Sequence, residues 1–326
     1  MEKRKFKLSF NLVLLLIWAA IFTAIAVIAP TFLKPNYIIN TMLRNIVETG
    51  MVALPMTLII ITGGIDLSVG SLMILCAVFG GSAAAAWGSV AGVLITLLVG
   101  LIGGLINGLI IAKAKISEMV TTLATMYLYM GLSRGYTEAG SVYAFDAAAW
   151  LGNTVVLGLP VQIWIFLALA VVFVLLLHYT DFGRKLYAIG LNPNATKFSG
   201  INVEHIKICL YVICGLTCAL ASMIYLGRFS SVKYDSGLNF NLKVITLVVL
   251  GGTSIAGGSG DMRGTLIATL MIATLNSGLT VLNIPIATQT VVQGVVLLVA
   301  LVAFAIMGMN KGRRKSVKKV NANPVN

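Results

Sequence analysis

Blocks of apolar residues, each about as long as a membrane is thick, constrain the fold of this chain more than any other feature. The chain has 326 residues, of which 59% are hydrophobic and 10% are charged, whereas a soluble domain carries roughly 25% charged residues. A helix needs about 20 apolar residues to cross a bilayer, and a membrane β-barrel would instead show alternating segments of about 10 residues. The sequence therefore predicts an all-α, polytopic bundle of transmembrane helices.

About ten apolar blocks qualify as spans, and two of them are less regular than the others. The first block is much longer than the core of a signal peptide, so we interpret it as a retained span. The fifth block is short and the eighth runs into a pair of glycines, so each is either a full crossing or a half-helix. The predicted spans are residues 9–30, 43–62, 67–87, 90–112, 118–134, 160–178, 206–227, 243–256, 263–283 and 287–309.

Basic residues set the direction of the bundle. The net charge of +13 is concentrated in two tails, residues 1–8 and 310–326, and in a few joints between spans. These residues are not interleaved with aromatic residues, so they do not suggest nucleic-acid binding. Because Lys and Arg in short loops stay on the cytoplasmic side, we predict that both termini and the joint 179–207 are cytoplasmic. We expect residues 1–326 to form a single transmembrane domain.

Two joints carry features of their own. In the joint 179–207, Asn192 can cap a helix, Pro193 suits its first position and Gly200 suits the position after its end. This predicts a short cytoplasmic helix that could enter a groove on a partner; the alternative is an ordinary loop. The joint 134–162 is predicted to lie outside, where its aromatic residues either rest at the membrane interface or form a docking surface for an external partner.

Two glycine-rich breaks, residues 62–71 and 251–261, interrupt the apolar blocks at corresponding places in the two halves of the chain. Paired breaks indicate a translocation pathway, and the alternative is a pair of tight cytoplasmic turns with capping residues. A charge within the membrane marks a functional site by default, but this expectation for Asp66 weakens if Asp66 lies at the inner surface. The candidate residues are Gly63, Gly64, Asp66, Ser68, Gly70, Ser71, Gly251, Gly252, Thr253 and Ser254.

Polar amides within the spans form a second group of candidates. They either line a polar pathway or make hydrogen bonds between helices that approach closely at small residues. Gly103, Gly104 and Gly108 would allow such an approach. The candidate pathway residues are Asn107, Asn276, Gln289 and Gln293, with Asn283 beside them.

The sequence contains no catalytic centre of its own. It has no phosphate-binding loop of the GxxxxGK[ST] type, its four cysteines lack metal-ligand spacing, and His178 and His205 are interpreted as single surface histidines. We therefore predict no metal and no cofactor in this chain. Few titratable residues lie within the spans, which disfavours the alternative of an ion-coupled secondary carrier. A separate subunit is expected to supply the energy.

Four segments together resemble the permeases of ribose-type importers, which are membrane subunits of bacterial ATP-binding-cassette (ABC) sugar transporters. They are residues 61–71 (ITGGIDLSVGS), 182–192 (FGRKLYAIGLN), 198–201 (FSGI) and 249–258 (VLGGTSIAGG). The likeness covers nearly the whole chain. It implies a multi-pass protein of the bacterial inner membrane with the ABC importer permease fold, working with a second, identical or different, permease subunit.

The resemblance also implies the other partners and the substrate class. Cytoplasmic subunits would bind ATP and Mg²⁺, an extracytoplasmic protein would deliver a monosaccharide or a related autoinducer, and the segment 179–207 would contact the ATPase. Residues 52–56 and 157–160 are most similar to those of autoinducer and rhamnose permeases. The residues expected to couple the chain to the ATPase are Gly183, Arg184, Tyr187, Gly190, Asn192, Phe198 and Gly200.

Overall fold

The computed structural model describes residues 10–285, 287–296 and 298, and these form a bundle of long helices. The terminal segments 1–8 and 310–326 lie outside the described residues, as does most of the predicted span 287–309, of which residues 287–296 are helical. The helices are α1 Phe10–Ile28, α2 Pro35–Ile61, α3 Val69–Trp87, α4 Ser89–Lys113, α5 Glu118–Thr137, α6 Asp146–Asn153, α7 Val161–Tyr179, α8 Asp181–Leu191, α9 Pro193–Phe198, α10 Val203–Phe229, α11 Phe240–Leu250 and α12 Met262–Val281.

The transmembrane bundle is confirmed, and the two irregular spans differ from each other. Within the described residues, seven helices (α1, α2, α3, α4, α7, α10 and α12) are long and apolar enough to cross a membrane. Helix α5 has 20 residues, which corresponds to about 30 Å and is long enough to cross. Helix α11 has only 11 residues, or about 16 Å. Of the two predicted structures for residues 243–256, the half-helix is therefore the one observed.

The joint 179–207 contains two helices where the sequence predicted one. The predicted short helix is α9: Asn192 accepts a hydrogen bond from the backbone N–H of Ala195, and Pro193 occupies the first position. Gly200 follows the helix with a φ of +83°, a left-handed conformation that glycine adopts without steric cost. Helix α8 was not predicted. It begins after Thr180, whose hydroxyl accepts from the N–H of Gly183.

The most extensive packing between two helices of the described residues joins α4 and α10. The predicted glycine face of α4 is responsible: a Cβ on Gly104 would lie 2.3 Å from the carbonyl oxygen of Tyr211, and a Cβ on Gly215 would lie 2.1 Å from that of Gly100. Because lipid is as apolar as the side chains, such close backbone packing is a principal source of helix association in a membrane.

We expect Gly104→Leu to prevent the bundle from forming. The new side chain would meet backbone atoms of α10, which cannot rotate away, so the cost should exceed the roughly 1–3 kcal/mol typical of overpacked cores. The measurement is the yield and thermal midpoint of the chain in detergent. Gly294→Leu is the control, because no atom of the described residues lies within 4 Å of a Cβ placed there. Equal midpoints for the two variants would contradict the packing of α4 on α10.

The end of the bundle opposite α8 and α9 carries two short antiparallel strand pairs. Strand β1 (Val142–Tyr143) pairs with β4 (Ser231–Val232), which ties the joint between α5 and α7 to the end of α10. Strand β2 (Val155–Val156) pairs with β3 (Leu159–Pro160). In the sequence, helix α6 lies between strands β1 and β2. It packs against α10. The joint 134–162 is therefore a folded cap and not an open loop.

Candidate functional site

The two glycine breaks, far apart in the sequence, contact each other at the α8–α9 end of the bundle. The N–H of Gly258 donates a 2.9 Å hydrogen bond to the carbonyl oxygen of Ile61. A Cβ on Gly257 would lie 2.9 Å from the backbone nitrogen of Gly63, and both glycines have positive φ. The breaks thus form one junction, in which the backbone of one supplies partners for the backbone of the other.

Helix α8 packs directly against this junction. A Cβ on Gly190 would lie 1.9 Å from the carbonyl oxygen of Ile61 and 2.4 Å from the nitrogen of Gly258, so a side chain does not fit there. The hydroxyl of Tyr187 donates a 2.8 Å hydrogen bond to the carbonyl oxygen of Gly260, and burial raises the pKa of Tyr187. The last half of α8 therefore contacts the end of α2, directly before the first break, and the second break.

The residues predicted to couple the chain to an ATPase fall into two groups. Gly183 packs against the last turn of α7, where a Cβ would lie 1.9 Å from the carbonyl oxygen of Leu177. Tyr187 and Gly190 also pack inward, whereas Asn192 caps α9 and Gly200 follows its end, both at exposed positions. Two residues instead face outward: the Arg184 side chain is 76% exposed, where it pairs with Asp181, and Phe198 is 94% exposed.

Asp66 is buried beside the junction and does not lie in the middle of the bundle. Its Oδ1 atom accepts hydrogen bonds from the backbone N–H of Ser68 at 2.8 Å and from the hydroxyl of Ser68 at 2.7 Å. Burial raises the pKa of Asp66. Ser68 is the N-cap residue of α3, but its side chain makes no capping hydrogen bond. Asp66 bonds the N–H of Ser68 itself and not a donor of the first helical turn, so neither side chain caps α3.

Asn107 joins Asp66 through Ser68. Its amide Nδ2 donates a 2.9 Å hydrogen bond to the hydroxyl of Ser68, which connects α4 to the first break. Its Oδ1 atom is buried and has no hydrogen-bond partner among the residues that the structure describes. Asp66, Ser68 and Asn107 therefore form a continuous buried polar group between α2, α3 and α4.

The other residues of the two breaks mainly allow close contacts. A Cβ on Gly64 would collide with the carboxylate of Glu118, which pairs with Lys207. A Cβ on Gly70 would lie 2.7 Å from the carbonyl oxygen of Gly237.

In the second break, Gly251, Gly252 and Thr253 are buried or half-buried, and Ser254 donates its N–H to the carbonyl oxygen of Ser259. Ser71 is half-buried.

Three of the four candidate pathway amides form a separate group, between α12 and residues 287–296. The Nε2 atom of Gln293 donates a 2.7 Å hydrogen bond to Oδ1 of Asn276. Gln289 donates to the hydroxyl of Thr280 at 3.3 Å and to the carbonyl oxygen of Ile284 at 2.9 Å. The fourth amide, Asn107, belongs to the Asp66 group. The amides thus make contacts between elements and do not converge in one channel.

A buried charge network at the opposite end was missed by the sequence analysis. The Nη1 atom of Arg228 lies 2.8 Å from both carboxylate oxygens of Glu48, and its Nη2 donates to Asn45 at 2.6 Å. Arg44 donates to the side chain of Asn153 at 2.6 Å. The sequence did contain a signal for this network. Glu48 is an acid within a predicted span, and a charged residue there usually pairs with another polar group for a structural or functional reason.

Comparison with known proteins identifies the family. The family described as "branched-chain amino acid transport system / permease component" matches residues 37–301. The chain belongs to this permease family. It is 41% identical to the ribose import permease protein RbsC of Bacillus subtilis (strain 168), over 85% of this chain and 87% of that protein. To RbsC of Escherichia coli (strain K12) it is 38% identical, over 89% of this chain and 91% of that protein.

An autoinducer permease is also similar, at lower identity. The autoinducer 2 import system permease protein LsrD of Escherichia coli O9:H4 (strain HS) is 34% identical, over 87% of this chain and 88% of that protein. The likeness of residues 52–56 and 157–160 to autoinducer permeases is thus not reflected in the whole chain, which is more similar to the ribose permeases. No solved structure matches. The predicted resemblance to sugar import permeases and the multi-pass bundle are confirmed.

Proposed function

We propose that this chain is the membrane subunit of an ABC importer and that α8 and α9 receive the movement of a cytoplasmic ATPase. One observation carries the proposal: through Gly190 and Tyr187, α8 contacts the last residue of α2, directly before the first break, and the second break. A force on α8 would reach α2 through Ile61 and α12 through the second break. ATP and Mg²⁺ would be bound by the ATPase subunits, and this chain would hold neither.

The outward side chains of the segment suit such a partner. Leu191 at the end of α8 and Phe198 at the end of α9 are 75% and 94% exposed, and apolar side chains on short helices are typical anchors in a partner groove. The Lys and Arg residues of this segment and of both tails support a cytoplasmic position for all three, because basic residues in short loops stay on that side. With that orientation, the cap formed by α6 and the strands faces outward, and we propose it as the docking surface for a sugar-binding protein.

Helix α5 supports a second permease subunit and a pathway between the two. It is long enough to span the membrane but is not apolar enough to be counted among the seven apolar spans. Its exposed surface carries Tyr127, Gly131, Arg134 and Gly135 beside the apolar side chains of Leu123, Leu128 and Leu132. Because lipid is a poor environment for such a face, we propose that α5 faces a second permease subunit and the polar pathway between them.

Ribose is the proposed substrate, with xylose, rhamnose, galactose and the furanosyl autoinducer as other members of the class. The higher identity to two ribose permeases than to the autoinducer permease favours ribose. The alternative function is an ion-coupled secondary carrier.

Reconstitution separates these functions. We expect vesicles that contain this chain, its ATPase subunit and its sugar-binding protein to take up labelled ribose only when ATP is enclosed on the ATPase side. Unlabelled xylose, rhamnose and autoinducer serve as competitors that test the substrate. Vesicles containing this chain alone are the control. Ribose uptake by the chain alone, driven by a proton or sodium gradient, would refute the proposal and support the secondary carrier.

A further inference from the structure

Asp261 occupies the end of the second break and begins α12. Its Oδ1 atom accepts the backbone N–H of Arg263 at 2.9 Å, and its carbonyl oxygen accepts the N–H of Thr265 at 3.2 Å. This is an N-cap arrangement, which satisfies backbone donors that the helix leaves free. The position of the Asp261 carboxylate is thereby fixed relative to α12.

The same carboxylate contacts two further helices. His178 lies in the last turn of α7, and its Nε2 atom is 3.0 Å from Oδ1 of Asp261. Asn11, in the first turn of α1, donates from Nδ2 to Oδ2 of Asp261. The side chains of His178 and Asp261 are 24% and 33% exposed, so solvent screens their interaction only in part. Three helices therefore meet at one carboxylate.

His178, in the last turn of α7, should move together with α8, because hydrogen bonds hold the corner between the two helices. The hydroxyl of Thr180 donates to the carbonyl oxygen of Leu176 at 2.6 Å and accepts from the N–H of Gly183. Gly183 itself rests on the carbonyl oxygen of Leu177. A displacement of α8 that preserves this corner carries the imidazole of His178 with it.

Two other polar contacts join residues near the α7–α8 corner to the start of α12. Tyr187 donates to the carbonyl oxygen of Gly260, and the guanidinium of Arg263 donates to the hydroxyl of Tyr179 at 3.4 Å. Residues 260–263 thus receive contacts from both sides of the corner. Among these contacts, the one from His178 is made to a carboxylate, and hydrogen bonds to charged groups are about twice as strong as neutral ones.

We propose that His178 and Asp261 are positioning residues, which transmit the movement of the α8–α9 segment to the start of α12 during transport. This proposal rests on the proposed function as an ATP-driven importer. The Nε2 atom of His178 is close enough to donate to the carboxylate of Asp261. The same carboxylate caps α12, so it links His178 to the start of that helix. Moving His178 would then tilt α12 relative to α1, which is attached to the same carboxylate through Asn11.

The test uses the reconstituted importer and measures labelled ribose taken up per ATP hydrolysed. We expect His178→Phe, which keeps the ring but loses the donor, to lower this ratio about tenfold, the effect of losing one hydrogen bond to a charged group. ATP hydrolysis should stay near the parent rate. Asp261→Ser, which keeps a capping hydroxyl, should behave likewise, and the double variant should be no worse than either single variant.

Two further variants separate transmission from folding. His178→Gln restores a donor at the position of Nε2 and should recover most of the ratio. His205→Phe is the matched control, since His205 is exposed on α10 and the hydrogen-bond partner of its ring among the described residues is Cys209; this variant should be unchanged. A parent ratio in His178→Phe, or parallel loss of uptake and ATP hydrolysis in His178→Phe and His178→Gln, would overturn the transmission role. Absence of ATP-dependent uptake by the parent would instead overturn the proposed function.

Discussion

Phe198→Asp is expected to abolish ATP-dependent ribose uptake while leaving the folded permease in the membrane. Phe198 is 94% exposed at the end of α9, so the bundle loses almost no packing when it is replaced. Burial of a phenylalanine side chain in a partner groove contributes about 1.5–3 kcal/mol, and about 1.4 kcal/mol is a tenfold change in affinity. The affinity for the ATPase should therefore fall roughly tenfold to a hundredfold, and further because a carboxylate would have to be desolvated.

The measurement is co-purification of the ATPase subunit with the permease, together with uptake in vesicles. Phe198→Leu is the matched control: it keeps an apolar side chain and should retain most of the ATPase. The thermal midpoint of both variants in detergent should equal that of the parent. Normal ATPase retention by Phe198→Asp would exclude α9 as the main contact, and a lowered midpoint would mean that Phe198 supports the fold.

Local signals in the sequence predicted the structure well where the cause is local. Asn192, Pro193 and Gly200 predicted α9 because a cap, a fixed φ and a left-handed residue act within one or two turns of chain. The apolar blocks predicted the long helices for the same reason. The 11-residue length of α11 followed from the glycine pair at residues 251 and 252, although the sequence alone left a full crossing open.

Long-range contacts could not be predicted in this way. Nothing near Gly190 indicates that it meets Ile61 and Gly258, since the three residues are brought together only when α8 folds back on the bundle. His178 lies at the surface as interpreted, but its pairing with Asp261 was missed for a similar reason, because the two residues are distant in the sequence. Gly183 was predicted to face a partner, but it is buried against α7, so its replacement would disturb the corner itself.

The contact of the two breaks also changes how they are understood. The sequence left open a pathway through the membrane or a pair of tight turns with capping residues. Hydrogen bonding between the breaks, burial of Asp66 beside them and the contact with α8 favour turns at one end of the bundle. Backbone groups that would be costly to expose are satisfied by the opposite break. A junction of this kind can transmit movement between helices. For the pathway of the solute we propose the face of α5 instead.

The second large effect is expected for Gly190→Ala, the smallest change that can disturb this junction. The added Cβ would lie 1.9 Å from the carbonyl oxygen of Ile61, whereas ordinary contact begins at 3.4 Å. Because both sides of the contact are backbone, α8 must move away by about 1.5 Å, which breaks the fit that connects it to the end of α2 and to the second break; overpacking of this kind costs roughly 1–3 kcal/mol.

We therefore expect Gly190→Ala to lose nearly all ribose uptake while it still binds the ATPase, since α9 and Phe198 remain exposed. Uptake, ATPase retention and protease sensitivity of the segment 179–207 are measured side by side. Gly294→Ala is the matched control, because in the part of the chain that the structure describes a Cβ at residue 294 meets no atom within 4 Å. Retained uptake in Gly190→Ala would show that close contact between α8 and the junction is dispensable. Loss of ATPase binding would contradict the expected separation of transmission from docking and would assign Gly190 to the docking surface.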